Sequence, residues 1–79
     1  MKDIDNFDVA NFHKRIGKNV KKIRTEKKIS QLALSQAIGH KSVSVVSYAE
    51  IYHKGYHFNL EHLGKIAYAL EVDICEFFK

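Results

Sequence analysis

The chain has no proline and one cysteine, Cys75. A single thiol excludes an intramolecular disulfide and fits a reducing cytosol. Without proline nothing interrupts a helix by losing a backbone donor, and the apolar periodicity points to helix nearly throughout. No apolar run approaches the roughly 18 residues a membrane-spanning helix needs. The N-terminus is rich in Lys and Asp without an apolar block, so no signal peptide is expected. Paired Cys-x2-Cys and His-Glu-x2-His spacings are absent, as are a glycine-rich phosphate loop and any nucleophile–base motif. Neither a metal site nor a cofactor nor an enzyme activity is expected. His53 and His57 are four apart, but Gly55 lies between them and predicts a loop.

What is present is a chain of 79 residues, 46% hydrophobic, enough for one small folded domain. Its net charge of +4 hides a gradient. From His13 to Phe58 there are ten Lys and Arg against Glu26 and Glu50, a balance of +8, while each end carries −2. A Lys-rich helix is commonly just a solvated face. Beside a DNA-reading element the same charge becomes a phosphate footprint.

The organising stretch is residues 30–50. Ser30 is a good N-cap, and the helix it starts runs to Ile38, with Leu34 and Ile38 one turn apart. Gly39 ends it, because glycine enters the left-handed region without steric cost. Ser42 is the next N-cap candidate, and Val43 to Glu50 follow as a second helix. Two helices of about eight residues around a glycine turn form a helix-turn-helix. Helices this short are marginal alone, so flanking helices must supply a core.

Before this unit, residues 1–7 read as a flexible arm. Asp8 caps a first helix to about Lys27, with Phe7 and Phe12 as a hydrophobic staple. Val9, Phe12, Ile16, Val20 and Ile23 make its buried stripe. Gly17 inside it costs about 1 kcal/mol relative to Ala and marks a candidate close helix approach. After the unit, Tyr52, His53, Lys54, Gly55, Tyr56 and His57 form a loop, with Tyr56 and Phe58 expected at the core edge. Asn59 caps a fourth helix whose stripe is Leu60, Leu63, Ile66, Ala67 and Leu70. Asp73 caps a last short helix bearing Ile74, Phe77 and Phe78. Ile74 and Phe77 share an inward face. Phe78 and Cys75 share the neighbouring face and are the expected dimer interface; the alternative is that Phe78 folds back onto Phe12 and the arm.

The string Arg24-x6-Gln31-x2-Leu34-Ser35-x3-Gly39, then Val46-Ser47-x-Ala49-Glu50, resembles the phage Cro/repressor (XRE-type) DNA-binding family. The likeness continues through Asn59-Leu60-Glu61-His62-Leu63 and Ile66-Ala67-x-Ala69-Leu70-x-Val72, and spans roughly residues 13–78. Ser35 and Ala49 depart from the family's usual residues, one residue is added at His40–Lys41, and the loop 51–58 is longer and more aromatic.

The resemblance implies an all-α fold of five helices in one domain over 1–79, with the helix-turn-helix at helices 2 and 3. It implies a transcription regulator in the cytoplasm, binding double-stranded DNA as a homodimer on a two-fold operator. It pairs Arg24 with Glu50 and puts Gln31, Lys41, Ser42 and Lys54 at DNA phosphates. With Ser42 as cap, Val46 and Ala49 face inward, while Val43, Ser44, Ser47 and Tyr48 face out, where base edges are read. Val45 fits either face. No Arg, Asn or Gln stands there for a bidentate base contact, so shape readout gains weight. The competing class is a protein-interaction module, such as the antitoxin of a toxin–antitoxin pair.

Overall fold

A computed structural model describes all residues, 1–79. Four α-helices carry the fold: α1 (Val9–Glu26), α2 (Gln31–Ala37), α3 (Ser44–Glu50) and α4 (Leu60–Leu70). Two short 3-10 segments, Ile4–Asn6 and Ile74–Phe78, and a tight turn at His53–Gly55 that contains left-handed residues complete it. There is no strand. The architecture is all-α as expected, but the fifth expected helix is a 3-10 turn rather than an α-helix. Its Asp73 carboxylate accepts from Cys75 N at 2.8 Å, which starts the tighter turn.

Local chemistry explains each helix start. Asp8 accepts from Asn11 N at 2.9 Å, and the Phe7 and Phe12 rings lie 5.5 Å apart across the cap. Ser30 accepts from Ala33 N at 3.0 Å. At α4 the cap is reciprocal. Asn59 Oδ1 accepts from His62 N at 2.7 Å, and His62 Nδ1 accepts from Asn59 N at 3.1 Å. Two orphan donors of the helix end are thereby satisfied.

One core joins all four helices. Ile16 and Val20 of α1 meet Leu34 and Ile38, Val46 and Ala49 of α3, and Leu63, Ile66, Ala67 and Leu70 of α4. Phe77 is fully buried in this core, and Phe58 is buried with it. Asn19 of α1 donates to Phe77 O at 3.0 Å, fixing the C-terminal turn to α1.

Gly17 has a definite reason. A Cβ there would lie 2.5 Å from Ala49 O and 2.7 Å from Glu50 O. The glycine lets α1 and the end of α3 touch backbone to backbone.

Two expected core residues are in water. Val9 and Leu60 are both exposed, and each is the first residue of its helix. The apolar stripe there has run past the edge of the core. Within residues 1–7 Asp3 caps the turn Ile4–Asn6, and none of these residues is buried.

Candidate nucleic-acid interface

The helix-turn-helix is built from three ties. Gly39 takes φ of 94°, ending α2. His40 N then donates to Ser35 O at 2.9 Å, closing the turn. The buried Ser35 hydroxyl donates to Val43 O at 3.4 Å, linking α2 to the start of α3. Ser35 therefore sits where a hydroxyl has a partner, which accounts for its departure from the family's usual alanine.

α3 begins at Ser44, later than expected. Val43 precedes it and has no side chain able to cap. Ser42 still contributes, because its Oγ accepts from Ser44 N at 3.2 Å and lies 2.7 Å from Ser44 Oγ. Val46 and Ala49 are buried on the inner face. Val45 is half-buried, packing against the core while also reaching the recess beside α3. Val43 and Tyr48 are exposed, and Ser44 and Ser47 are half-buried. An open recess of about 400 Å³ is lined by His40, Lys41, Ser42, Ser44, Val45, Tyr48 and Tyr56. It brings together Lys41 and Ser42 from the turn with Ser44 and Tyr48 from α3.

Arg24 and Glu50 form a buried bidentate pair. Arg24 Nε donates to Glu50 Oε2 at 2.7 Å and Nη2 to Oε1 at 3.0 Å, with side chains 8% and 0% exposed. Arg24 Nη1 also donates to Ile29 O at 2.8 Å. Gln31 enters the same network, its Nε2 donating to Glu50 Oε1 at 2.9 Å. The amide is thus held by the carboxylate rather than free at the start of α2, with one of its two hydrogens left for another acceptor. Sequence spacing linked Arg24 to Glu50 only through resemblance, and carried no sign of the Gln31 contact.

The connection from α3 to α4 is unusual in its backbone. Tyr52 and Lys54 both adopt left-handed conformations, with φ of 55° and 51°, and Gly55 follows at 83°. Lys54 is exposed within this turn. Tyr56 does not cover the core edge as expected. It is 59% exposed and packs its ring 5.6 Å from Tyr48, while His53 lies 4.7 Å from Tyr48 on the same cluster. On the other side of the loop, His13 of α1 stacks on His57 at 3.8 Å and on Tyr52 at 5.7 Å. Nothing in the spacing of these residues announces the contacts, which join α1 and α3 to a loop.

Two histidines are shifted. Burial, and then the neighbouring His57, lower the His13 pKa below the ordinary imidazole value. Burial, and then His40, whose ring stands edge-on at 5.5 Å, lower that of His62. No group of three or more His, Cys, Asp or Glu side chains is placed to hold a metal ion. At the C-terminal end Cys75 is exposed, and the Asp73 carboxylate beside it raises its thiol pKa. Phe78 is partly exposed next to buried Phe77.

Two short helices around a glycine turn, the second offering polar and apolar groups beside Lys41 in a chain of net charge +4, define a DNA-binding helix-turn-helix protein. The chain belongs to the Cro/repressor (XRE-type) family: a family model described as helix-turn-helix matches residues 20–77, from within α1 into the C-terminal turn. It is a DNA-binding regulator in that general sense. No curated protein matches the chain. No helix is long and apolar enough to cross a membrane.

Proposed function

We propose that this protein is a sequence-specific transcription regulator of the cytoplasm that binds a two-fold operator as a homodimer. The observation that carries the reading is the outer face of α3. Val43, just before it, and Tyr48 are exposed there, Ser44 and Ser47 are half-buried, and Lys41 and Ser42 line one recess with Ser44 and Tyr48. The serines hydrogen-bond base edges, and Val43 packs on a thymine methyl. Lys41, Ser42 and Lys54 hold phosphates. Gln31 adds its remaining amide hydrogen to a phosphate at the start of α2.

A DNA titration against salt tests it, using duplexes selected from a random pool. Lys41 and Lys54 alone, two per copy in a dimer, give a slope of about −3.6 and a loss of about 10² in affinity between 50 and 200 mM salt. If Lys and Arg of α1 also reach phosphates, six to ten contacts raise the loss to about 10³–10⁵. A flat salt response removes DNA as the ligand.

A further inference from the structure

Gly64 has no role inside the chain. It lies in the middle of α4, exposed, and a Cβ built there meets nothing within 4 Å. Gly17 is excused by a backbone contact; Gly64 is not. A solvent-facing glycine in a helix interior destabilises that helix relative to alanine. Its surroundings are equally unexplained. Leu60 and Tyr68, one turn before and one turn after it on the same ridge, are 74% and 89% exposed. They leave a notch between two apolar knobs. On the adjoining ridge Lys65 and Glu61 pair at 3.2 Å, both in water.

We infer that this face of α4 is where a second copy of the chain docks. The inference rests on the dimeric reading above and names its interface. The face is self-complementary under a two-fold axis through Gly64. Two α4 helices crossing antiparallel there bring Leu60 of one copy to Tyr68 of the other and Glu61 of one copy to Lys65 of the other. An isologous contact requires such reciprocity. The missing side chains at Gly64 let the two backbones approach, as Gly17 does within one chain. Stable interfaces bury about 800 Å² on each partner, more than this short ridge offers, so the pair is weak in free solution and completed on DNA. The location suits that use. His62 of α4 contacts His40 in the helix-turn-helix turn, so pairing on α4 sets the separation of the two α3 helices. Phe78, the alternative anchor, is the more covered residue at 39% exposure.

Sedimentation velocity on the full chain, free and with a pool-selected duplex, decides between them, with Gly64→Gln, Leu60→Ser and Phe78→Ser as variants. Gly64→Gln is expected to raise the melting temperature by about 3–6 °C, because glutamine is the better helix former, while lowering dimer affinity at least tenfold. That opposition of sign cannot come from misfolding. Leu60→Ser should weaken the dimer with helicity retained. A Gly64→Gln protein that dimerises like wild type overturns the inference, and so does a dimer lost only in Phe78→Ser. In both cases a wild type that still binds the duplex two to one leaves the regulator reading intact. A wild type that stays monomeric, free and on DNA, overturns both the interface and the dimeric reading.

Discussion

Removing either partner of the Arg24–Glu50 pair should come close to unfolding the protein. Both side chains are out of water, and the geometry is bidentate, with 2.7 and 3.0 Å contacts. In Arg24→Ala the Glu50 carboxylate stays buried with only Gln31 as a side-chain donor. In Glu50→Ala the guanidinium keeps only Ile29 O, and Gln31 loses its acceptor. Breaking one side of a buried pair costs about 3–5 kcal/mol, mostly the penalty of the abandoned charge. A domain of this length has about 4–12 kcal/mol in all. At about 4–8 °C per kcal/mol, the loss lowers the melting temperature by roughly 12–40 °C. The double mutant abandons no charge, so it should lose clearly less than the sum of the singles. Circular-dichroism melts and urea titrations of the three variants measure this cycle. Additive losses of a few tenths of a kcal/mol would mean a solvated pair and refute the reasoning.

Gly17→Ala should destabilise by about 1–3 kcal/mol despite alanine's better helix propensity, since the new methyl meets carbonyl oxygens of α3; a neutral or stabilising result in a urea titration would contradict the close approach. Stability should fall as pH drops through and below the ordinary histidine range. His62 and His13 have lowered folded pKa values, so the folded state binds fewer protons and its full stability is present only above the unfolded value of about 6.5. Replacing His62 with Gln, which can still close the capping box, should flatten the pH dependence of the melt; an unchanged profile would acquit that residue. Lys41→Ala should weaken binding to all duplexes alike, whereas Ser44→Ala, Ser47→Ala and Tyr48→Ala should change the preferred bases; selections giving one unaltered sequence for all three would mean α3 is not the reader.

The caps and the core were legible because they are local or periodic. Asp8, Ser30, Asn59 and Asp73 all accept the backbone hydrogen bonds that their positions before apolar runs predict. The stripes of α1 and α4 went wrong only at Val9 and Leu60, where periodicity continues but the core does not. The last turn has a helical spacing but only five residues, too few for the sequence to distinguish a 3-10 turn from an α-helix. Tyr56 escaped because its surroundings are set by left-handed residues upstream, and neither tyrosine nor lysine signals that conformation. Gln31 looked free because its partner, Glu50, lies 19 residues away, and only the folded chain brings them together.

The left-handed residues leave this protein room for improvement by engineering. Lys28, Tyr52, Lys54 and Glu71 each hold a positive φ between 51° and 59°. A side chain in that conformation costs about 1–2 kcal/mol, which glycine does not incur. Lys28 and Glu71 follow the ends of α1 and α4, lie outside the proposed DNA contacts, and are candidates for thermostabilising exchange to Gly. The same exchange at Lys54 would relax the loop but delete a proposed phosphate contact. At Tyr52 it would remove the ring stacked on His13. A more heat-resistant version is therefore best sought at the two helix ends, leaving the loop beside α3 as it stands.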